Sequence, residues 1–395
     1  MGGRLRMGEK ERLRGKMLEM VKQGQTTLKK AVATMGVSYR QGIRLYAAYL
    51  KDGDAGLVHG NIGRKSNNRL PEETREKAVA AYRQRYGDFG PTFAAEKLAE
   101  VEGIAISVGT MRTLLLEAGE WKGARRAAEY RSRRERRECF GELVQFDGSH
   151  HKWFEGRGPS CCLMTLIDDA TNTRISRFFE QETIEAAMTV LSCWARTYGI
   201  PEALYCDKKN AFVLTREPTD AEQLKGITKP KSHFGRACEK LGIEVIAAHS
   251  PQAKGRVERN HGVDQDRLVK ELRLAGISTI AEANRFLEET YLPKMNGKFS
   301  RPAAKPDDAH DPLGGTDLYE IMCLEHERTV SNDYVIRFEG RRFQVLRDGK
   351  PLPRPKSVVT VRVRLDGSIA VVWKETKLLV KELTNTMCPE GQKAA

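Results

Sequence analysis

Residues 143–147 read Leu143-Val144-Gln145-Phe146-Asp147, an apolar run that closes on an acid. The run has the composition of a buried strand, where a lone carboxylate is costly unless it binds something. Outward from it, 163–168 (Leu-Met-Thr-Leu-Ile-Asp) predicts a second strand, reached across the turn-forming Glu155-Gly156-Arg157-Gly158-Pro159. Residues 174–179 predict a third. Residues 183–198 predict an amphipathic helix with Ala187, Val190, Leu191 and Trp194 on one side. A fourth strand follows at 203–206, a helix at 234–241 and a fifth strand at 245–248, and from Lys254 a long helix runs to about Leu274. Three antiparallel strands followed by alternating helix and strand is an α/β order.

Two more acids stand in comparable frames. Asp207 closes Ile200-Pro201-Glu202-Ala203-Leu204-Tyr205-Cys206-Asp207, and Glu258 ends Ser250-Pro251-Gln252-Ala253-Lys254-Gly255-Arg256-Val257-Glu258. Carboxylates at strand, strand and helix are the oxygen ligands hard divalent cations prefer. Two such ions about 4 Å apart can clamp the attacking and leaving oxygens of a phosphodiester. Asp147, Asp207 and Glu258 are therefore expected to be the catalytic and metal-holding residues. The blander readings are a turn residue for Asp207 and an exposed, salt-bridged acid between Arg256 and Arg259 for Glu258. Asp168 and Asp169 are expected to shape the turn into Ala170-Thr171-Asn172. His150 and His151 are expected to face substrate or a hairpin, since magnesium prefers oxygen.

The chain has 395 residues, room for two to four domains, and 40% hydrophobic residues, enough for ordinary cores. Its formal net charge of +14 suits a polyanionic partner. No apolar run approaches the roughly 18 residues of a membrane span. Met1-Gly2-Gly3-Arg4-Leu5-Arg6 has neither a secretory apolar region nor a myristoylation pattern. The eight cysteines (Cys139, Cys161, Cys162, Cys193, Cys206, Cys238, Cys323 and Cys388) form no Cys-x-x-Cys pair and no zinc-finger spacing, which reads as reduced thiols in a cytosolic protein.

The flanks carry their own signals. Residues 10–52 have a helix-turn-helix cadence: small Ala31, turn Gly36 five residues on, an apolar position six later, and Ser38 capping a helix with Ile43, Leu45, Tyr46 and Leu50. That helix would present Tyr39, Arg40, Gln41 and Arg44 to a major groove, and the turn-rich stretch with Arg64 and Lys65 suits a minor groove or backbone. A three-helix bundle with a solvated basic face is the competing reading. A second helical unit runs from Pro71 to about Trp121, with Ser107 capping a helix that carries Met111, Leu114 and Leu115. Arg112 is its DNA-facing candidate, and a plain packing module competes. The charge run at 122–138, with Arg125, Arg126, Arg131, Arg133, Arg134, Arg136 and Arg137, reads as a strap along DNA or a solvated linker. Lys254, Arg256 and Arg259 are expected to meet DNA phosphates, with Asn260 and His261 beside them. Residues 328–382 alternate like strands, with a hairpin turn at Asp366-Gly367, and predict a small β-barrel that contacts DNA through Arg337, Arg341, Arg342, Arg362 and Arg364 or only supports the fold.

The core segments QFDGS around Asp147, LIDDAT at 166–171, YGIPEALYCDKKNAF around Asp207 and GIEVIAAHSPQAKGRVERNH around Glu258 resemble the DDE transposases and retroviral integrases. The N-terminal helices, GLVHGNIGRKSNNRL and RTVSNDYVIRFEGRRFQ resemble the ISNCY group of bacterial insertion-sequence transposases, so the likeness spans most of the chain. It implies an RNase H-like core that uses Mg²⁺ or Mn²⁺, two ions per active site, to cut and transfer strands without a covalent enzyme intermediate. Asp147 would be shared by both ions. The expected architecture is multidomain: a helix-turn-helix domain (1–69), a second helical domain (70–121), a basic linker (122–138), the RNase H-like catalytic core (139–292), a Pro-, Gly- and Asp-rich linker (293–327) and a small all-β barrel (328–384). The expected partners are double-stranded DNA, as insertion-sequence ends and target, and further copies of the chain in a homodimer or higher oligomer, in the bacterial cytoplasm at the nucleoid. Two departures stand out. The interval from Asp207 to Glu258 is 51 residues, longer than usual in integrase-like members, and Asp207-Lys208-Lys209-Asn210 stands where relatives often have Asp-Asn-Gly. A DNA-binding regulator with an inactive core, or a nuclease that cuts without joining, are the other functions the sequence allows.

Overall fold

Strand β1 (Val144–His151) grows from the apolar run but does not stop where the run stops. It continues through Asp147 to His151, which pairs with Cys161 of β2 (Cys161–Asp168). Asp147 is therefore mid-strand, and His150 and His151 are the last β1 residues before the turn of the β1–β2 hairpin. The computed structural model describes residues 7–58, 69–123, 134–207, 228–247, 255–349 and 351–383, with isolated positions between 216 and 226. The chain divides into two compact units, Met1–Ala124 and Arg125–Ala395.

In the second unit a five-stranded sheet has the order β3-β2-β1-β4-β5, with β3 at Arg174–Phe179, β4 at Ala203–Cys206 and β5 at Glu244–Ala247. The first three strands are antiparallel, and β4 and β5 run parallel to β1. Every residue of β2 is buried, as a strand covered on both faces requires. On one face α7 (Ile184–Thr197) and α8 (His233–Lys240) pack Leu191, Trp194 and Phe234 against Val144, Phe146 and Leu204. On the other lie α9 (Gly255–Leu274), α10 (Ile280–Phe286), a π-helical turn (Leu287–Tyr291) and α11 (Leu292–Phe299), whose Leu268, Leu272, Leu287 and Tyr291 meet Leu163 and Phe178. The outer strand β3 is finished by two asparagines. Asn284 accepts from the Phe178 N–H at 2.7 Å and donates to its carbonyl at 3.0 Å, and Asn296 does the same at Arg174, at 3.1 and 2.9 Å.

The stretch 293–327, expected as linker, is ordered instead. It begins within α11, and its middle returns to the sheet unit, where Ile200 and Asp311 exchange backbone hydrogen bonds of 2.9 and 2.8 Å. His310 accepts from Trp194 Nε1 at 3.0 Å, which leaves its own proton on Nδ1, facing Asp308 at 2.6 Å. Pro and Gly set the turns of this arm, but its buried side chains hold it down. It ends in a short helix α12 (Leu318–Ile321).

The C-terminal strands form two open sheets. One has four strands, β6 (Cys323–Thr329), β9 (Val358–Arg364), β10 (Ile369–Trp373) and β11 (Thr376–Leu378); the other has three, β7 (Val335–Phe338), β8 (Arg341–Val345) and β12 (Val380–Leu383). The expected barrel is thus corrected: no closed barrel occurs among the described residues. The chain crosses between sheets at the 331–334 turn, between β8 and β9, and at Leu379 without a ladder joining them, while Ile336, Phe343, Val361 and Val371 share one apolar cluster. Several arginines weighed for DNA contact have acidic partners here: Arg341 with Glu382, Arg362 with Glu325 and Arg364 with Glu320.

His233 joins α8 to β6, since its Nδ1 accepts the Glu325 N–H at 3.1 Å. Burial, with Arg236 and His326 nearby, lowers its pKa from 6.5 to about 4. Between those values the unfolded chain binds a proton that the folded chain refuses, so this contribution to stability is present above pH 6.5 and is lost as pH falls toward 4. Denaturation midpoints at pH 7 and pH 5 are expected to differ less in His233→Asn than in the parent; an equal difference would assign the acid sensitivity elsewhere.

The first unit is helical. Helices α1 (Glu9–Lys22), α2 (Leu28–Met35) and α3 (Tyr39–Asp52) are followed by α4 (Glu72–Arg85), α5 (Pro91–Val101) and α6 (Val108–Glu117). Gly36, at φ 64°, ends α2, and Ser38 caps α3 by accepting from Gln41 N–H. The position six after Gly36 is not a large apolar residue but Gly42, buried so closely that a Cβ would lie 2.0 Å from Val32 Cγ1. Ile43 and Leu50 of that helix are 48% and 55% exposed. The second triplet packs as expected, around Tyr82, Tyr86, Phe89, Phe93, Leu98, Met111 and Leu115.

Candidate active site

Strands β1 and β4 run parallel with Val144 opposite Leu204 and Gln145 opposite Tyr205. Asp147 lies two residues past that register on β1, and Asp207 is the first residue after β4 ends at Cys206. The two-residue period puts Asp147 on the face of Gln145. Both acids are half-buried. Two hydrogen bonds identify what covers this face. Gln145 accepts from the Val257 N–H at 3.2 Å, and Ser149 accepts from Gln265 at 3.1 Å. Gln145 and Ser149 bracket Asp147 on the same side of the strand, and both reach α9. Glu258 is the next residue after Val257 and is exposed in the first turn of that helix. The structure thus carries one acid on β1 and the second just past the end of the adjacent parallel strand β4, and ties the turn bearing the third to the Gln145 face of β1.

The tie has an anchor that the sequence reading missed. Asp169 is fully buried, and its Oδ1 accepts from Gln145 Nε2 at 2.8 Å, from Arg256 at 2.5 Å and from Arg134. Its Oδ2 accepts the Arg137 backbone N–H at 2.9 Å. Burial pulls the Arg256 guanidinium below its ordinary value, and Asp169 opposes that shift. The available signal was Gln145 itself, a polar residue in an apolar run, which must find partners when buried. Asp168 shapes its turn as expected: it accepts from Thr171 N–H at 2.6 Å, Thr171 Oγ1 at 2.8 Å and Gly141 N–H at 3.0 Å, and burial pushes its carboxyl up.

The basic strap finds partners in the core. Arg136 donates to the Asp169 and Ala170 carbonyls and to Asn172 Oδ1, at 2.9, 3.1 and 3.1 Å, and Arg137 pairs with Glu142. Two arginines of the strap thus have acidic partners in the core, Arg134 with Asp169 and Arg137 with Glu142. Asn260 is also engaged, accepting from Arg174 at 2.8 Å, and His261 is buried rather than DNA-facing. Arg259 is exposed on α9. In the helical unit Arg40, Gln41, Arg44 and Arg112 are exposed, and the first three line a shallow depression with Ser38 and Leu45. Arg64, Lys65, Arg125, Arg126, Arg131, Arg133 and Lys254 lie outside the described residues.

No family model matches the chain. It is 38% identical over 375 residues to a Sinorhizobium fredii protein named as transposase y4bF, covering 94% of this chain and 80% of that one. It is 30% identical over 373 residues to the transposase for insertion sequence IS1202 of Streptococcus pneumoniae, covering 85% and 78%. The chain belongs to the insertion-sequence transposases. Solved structures similar to this transposase include a simian T-cell lymphotropic virus intasome in complex with PP2A regulatory subunit B56 gamma (14% identity, 80% of this chain and 99% of that chain, TM-score 0.32). Another is the HTLV-2 integrase catalytic core domain in complex with magnesium (18%, 37% and 82%, TM-score 0.29). Likenesses at this level carry nothing about the reaction. Among its described residues the transposase has no helix long and apolar enough to cross a membrane. Its seven described cysteines are free thiols, five of them buried.

Proposed function

We propose that this transposase cuts and joins DNA at insertion-sequence ends, with Asp147, Asp207 and Glu258 holding two divalent ions. The observation that carries the reading is Asp147 on β1 and Asp207 just past the end of the adjacent parallel β4, with the first turn of α9 hydrogen-bonded to the Gln145 face of β1. The donors are all carboxylate oxygens, half-buried or exposed, which fits Mg²⁺ or Mn²⁺ and disfavours softer ions. When bound, such ions supply charge stabilisation at the attacking and leaving oxygens of a phosphodiester. The protein's part is position: Gln145 and Asp169 fix where the α9 turn lies, so Glu258 meets the strand carboxylates without a search. Two DNA ends must be joined, which calls for at least two chains on DNA. A supercoiled donor with cognate ends tests the reading. Strand transfer supports it, cutting alone would make the protein a nuclease, and no cutting would leave a DNA-binding regulator.

End recognition is assigned to the helical unit. Arg40, Gln41 and Arg44 are exposed on the first turns of α3, beside exposed Tyr39 and Ile43, a mixture suited to base edges and thymine methyls. Arg112 and Arg259 are assigned to phosphates, as are Arg64, Lys65, Arg133 and Lys254 on sequence grounds. Arg40→Ala or Arg44→Ala is expected to weaken binding to cognate ends by about 1–3 kcal/mol and to relax discrimination among end sequences. If a fragment beginning at residue 139 discriminates ends as well as the full chain, this assignment is wrong.

A further inference from the structure

The other face of β1 carries a second cluster of ligand-type side chains. His150 shares its side of the strand with Phe146 and Gly148, opposite to Gln145, Asp147 and Ser149. It lies directly across from Cys162 on β2. Glu182 stands just before Thr183, the cap of α7. One imidazole nitrogen, one thiol sulfur and one carboxylate oxygen from these residues lie within 4.8 Å of one another. His150 Nε2 and Glu182 Oε2 are 3.4 Å apart. A tetrahedral ion with metal–nitrogen and metal–oxygen bonds of about 2.0–2.2 Å needs a nitrogen–oxygen edge of about 3.4 Å. Gly148 keeps the space open, since a Cβ there would lie 2.9 Å from the Glu182 carboxyl carbon and 3.1 Å from the Met164 sulfur. Cys162 is buried while His150 is exposed, so an ion has a solvent approach on the histidine side.

We propose that His150, Cys162 and Glu182 bind a transition-metal ion of the zinc class, at a site distinct from the acidic triad. Thiolate and imidazole select zinc or cobalt and reject magnesium, the reverse of the all-oxygen set on the opposite face. Three protein ligands leave a fourth position for water. The ion would pin β1, β2 and the entry to α7 together three residues past Asp147. No Cys/His spacing announces the site, because strand register assembles it.

Cobalt titration of the chelator-treated full chain tests this. One equivalent per chain is expected to give a thiolate-to-cobalt charge-transfer band that zinc displaces and magnesium does not. The band should vanish in Cys162→Ala and survive in Asp147→Asn. His150→Ala and Glu182→Gln should weaken cobalt binding at least about tenfold, the lower bound for losing even an outer partner of a metal ligand. Absence of the band, or its persistence at full strength in Cys162→Ala, would overturn the proposal. Should Cys162→Ala fail to fold, the exposed His150→Ala decides: unchanged cobalt affinity there refutes the site.

Discussion

Asp147→Asn, assayed on a supercoiled donor with Mg²⁺ present, is expected to cut about a thousandfold more slowly than the parent while binding end DNA normally. The size follows from the role proposed for Asp147: a carboxylate that compensates bound divalent charge is worth at least about 4 kcal/mol in the transition state, and each 1.36 kcal/mol is a factor of about ten. Asp207→Asn and Glu258→Gln should behave alike, because each removes charge from the same site and leaves the basic surfaces of the helical unit untouched. Gel-shift and cleavage measured on one preparation separate the two functions. Cleavage comparable to the parent in any of the three variants removes that residue from the site.

Asp169→Ala is expected to cost about 3 kcal/mol of folding stability. Asp169 is fully buried, while the Arg256 side chain that it holds is only 13% exposed. Removing one partner of a buried pair leaves the other charge uncompensated, typically at about 3–5 kcal/mol, and partial exposure of Arg134 puts this case at the lower end. Gln145 loses a partner as well, so the first turn of α9 loosens, and the variant should need more Mg²⁺ to reach half-maximal cleavage at temperatures where it is folded. Adding Arg256→Met should recover part of the stability, since the two changes share one network. Urea midpoints for the single and double variants check this. A cost below about 1 kcal/mol, or strict additivity, would show that the network does not hold the helix.

The strands of the core were legible because apolar runs bounded by turn residues leave few alternatives; β3 and β4 begin and end where the run composition says. The expectation for the acids has a related ground, since a carboxylate such as Asp147 on an apolar strand needs a partner. What escaped the reading is long-range. Asp169 looks like a turn residue until Arg134 and Arg256 arrive from either end of the core. The strap at 122–138 reads as unneutralised because its partners sit beyond it in sequence. Alternation at 328–382 reveals which residues face inward but not whether the last strand pairs with the first, so two open sheets read as a barrel. In α3 composition does not reveal that Gly42, not the apolar Ile43 or Leu50, makes the close contact with Val32.

The asparagines that α10 and α11 dock onto β3 bear on which sheet edge of this transposase is open to another chain. An outer strand is ordinarily a template on which a second chain can extend the sheet. Here Asn284 and Asn296 already occupy both hydrogen-bonding groups of Phe178 and Arg174. Each behaves as a one-residue stub of a sixth strand that goes no further. A neighbour pairing with β3 at Phe178 and Arg174 would have to break these four hydrogen bonds, so that edge resists sheet extension by a second chain.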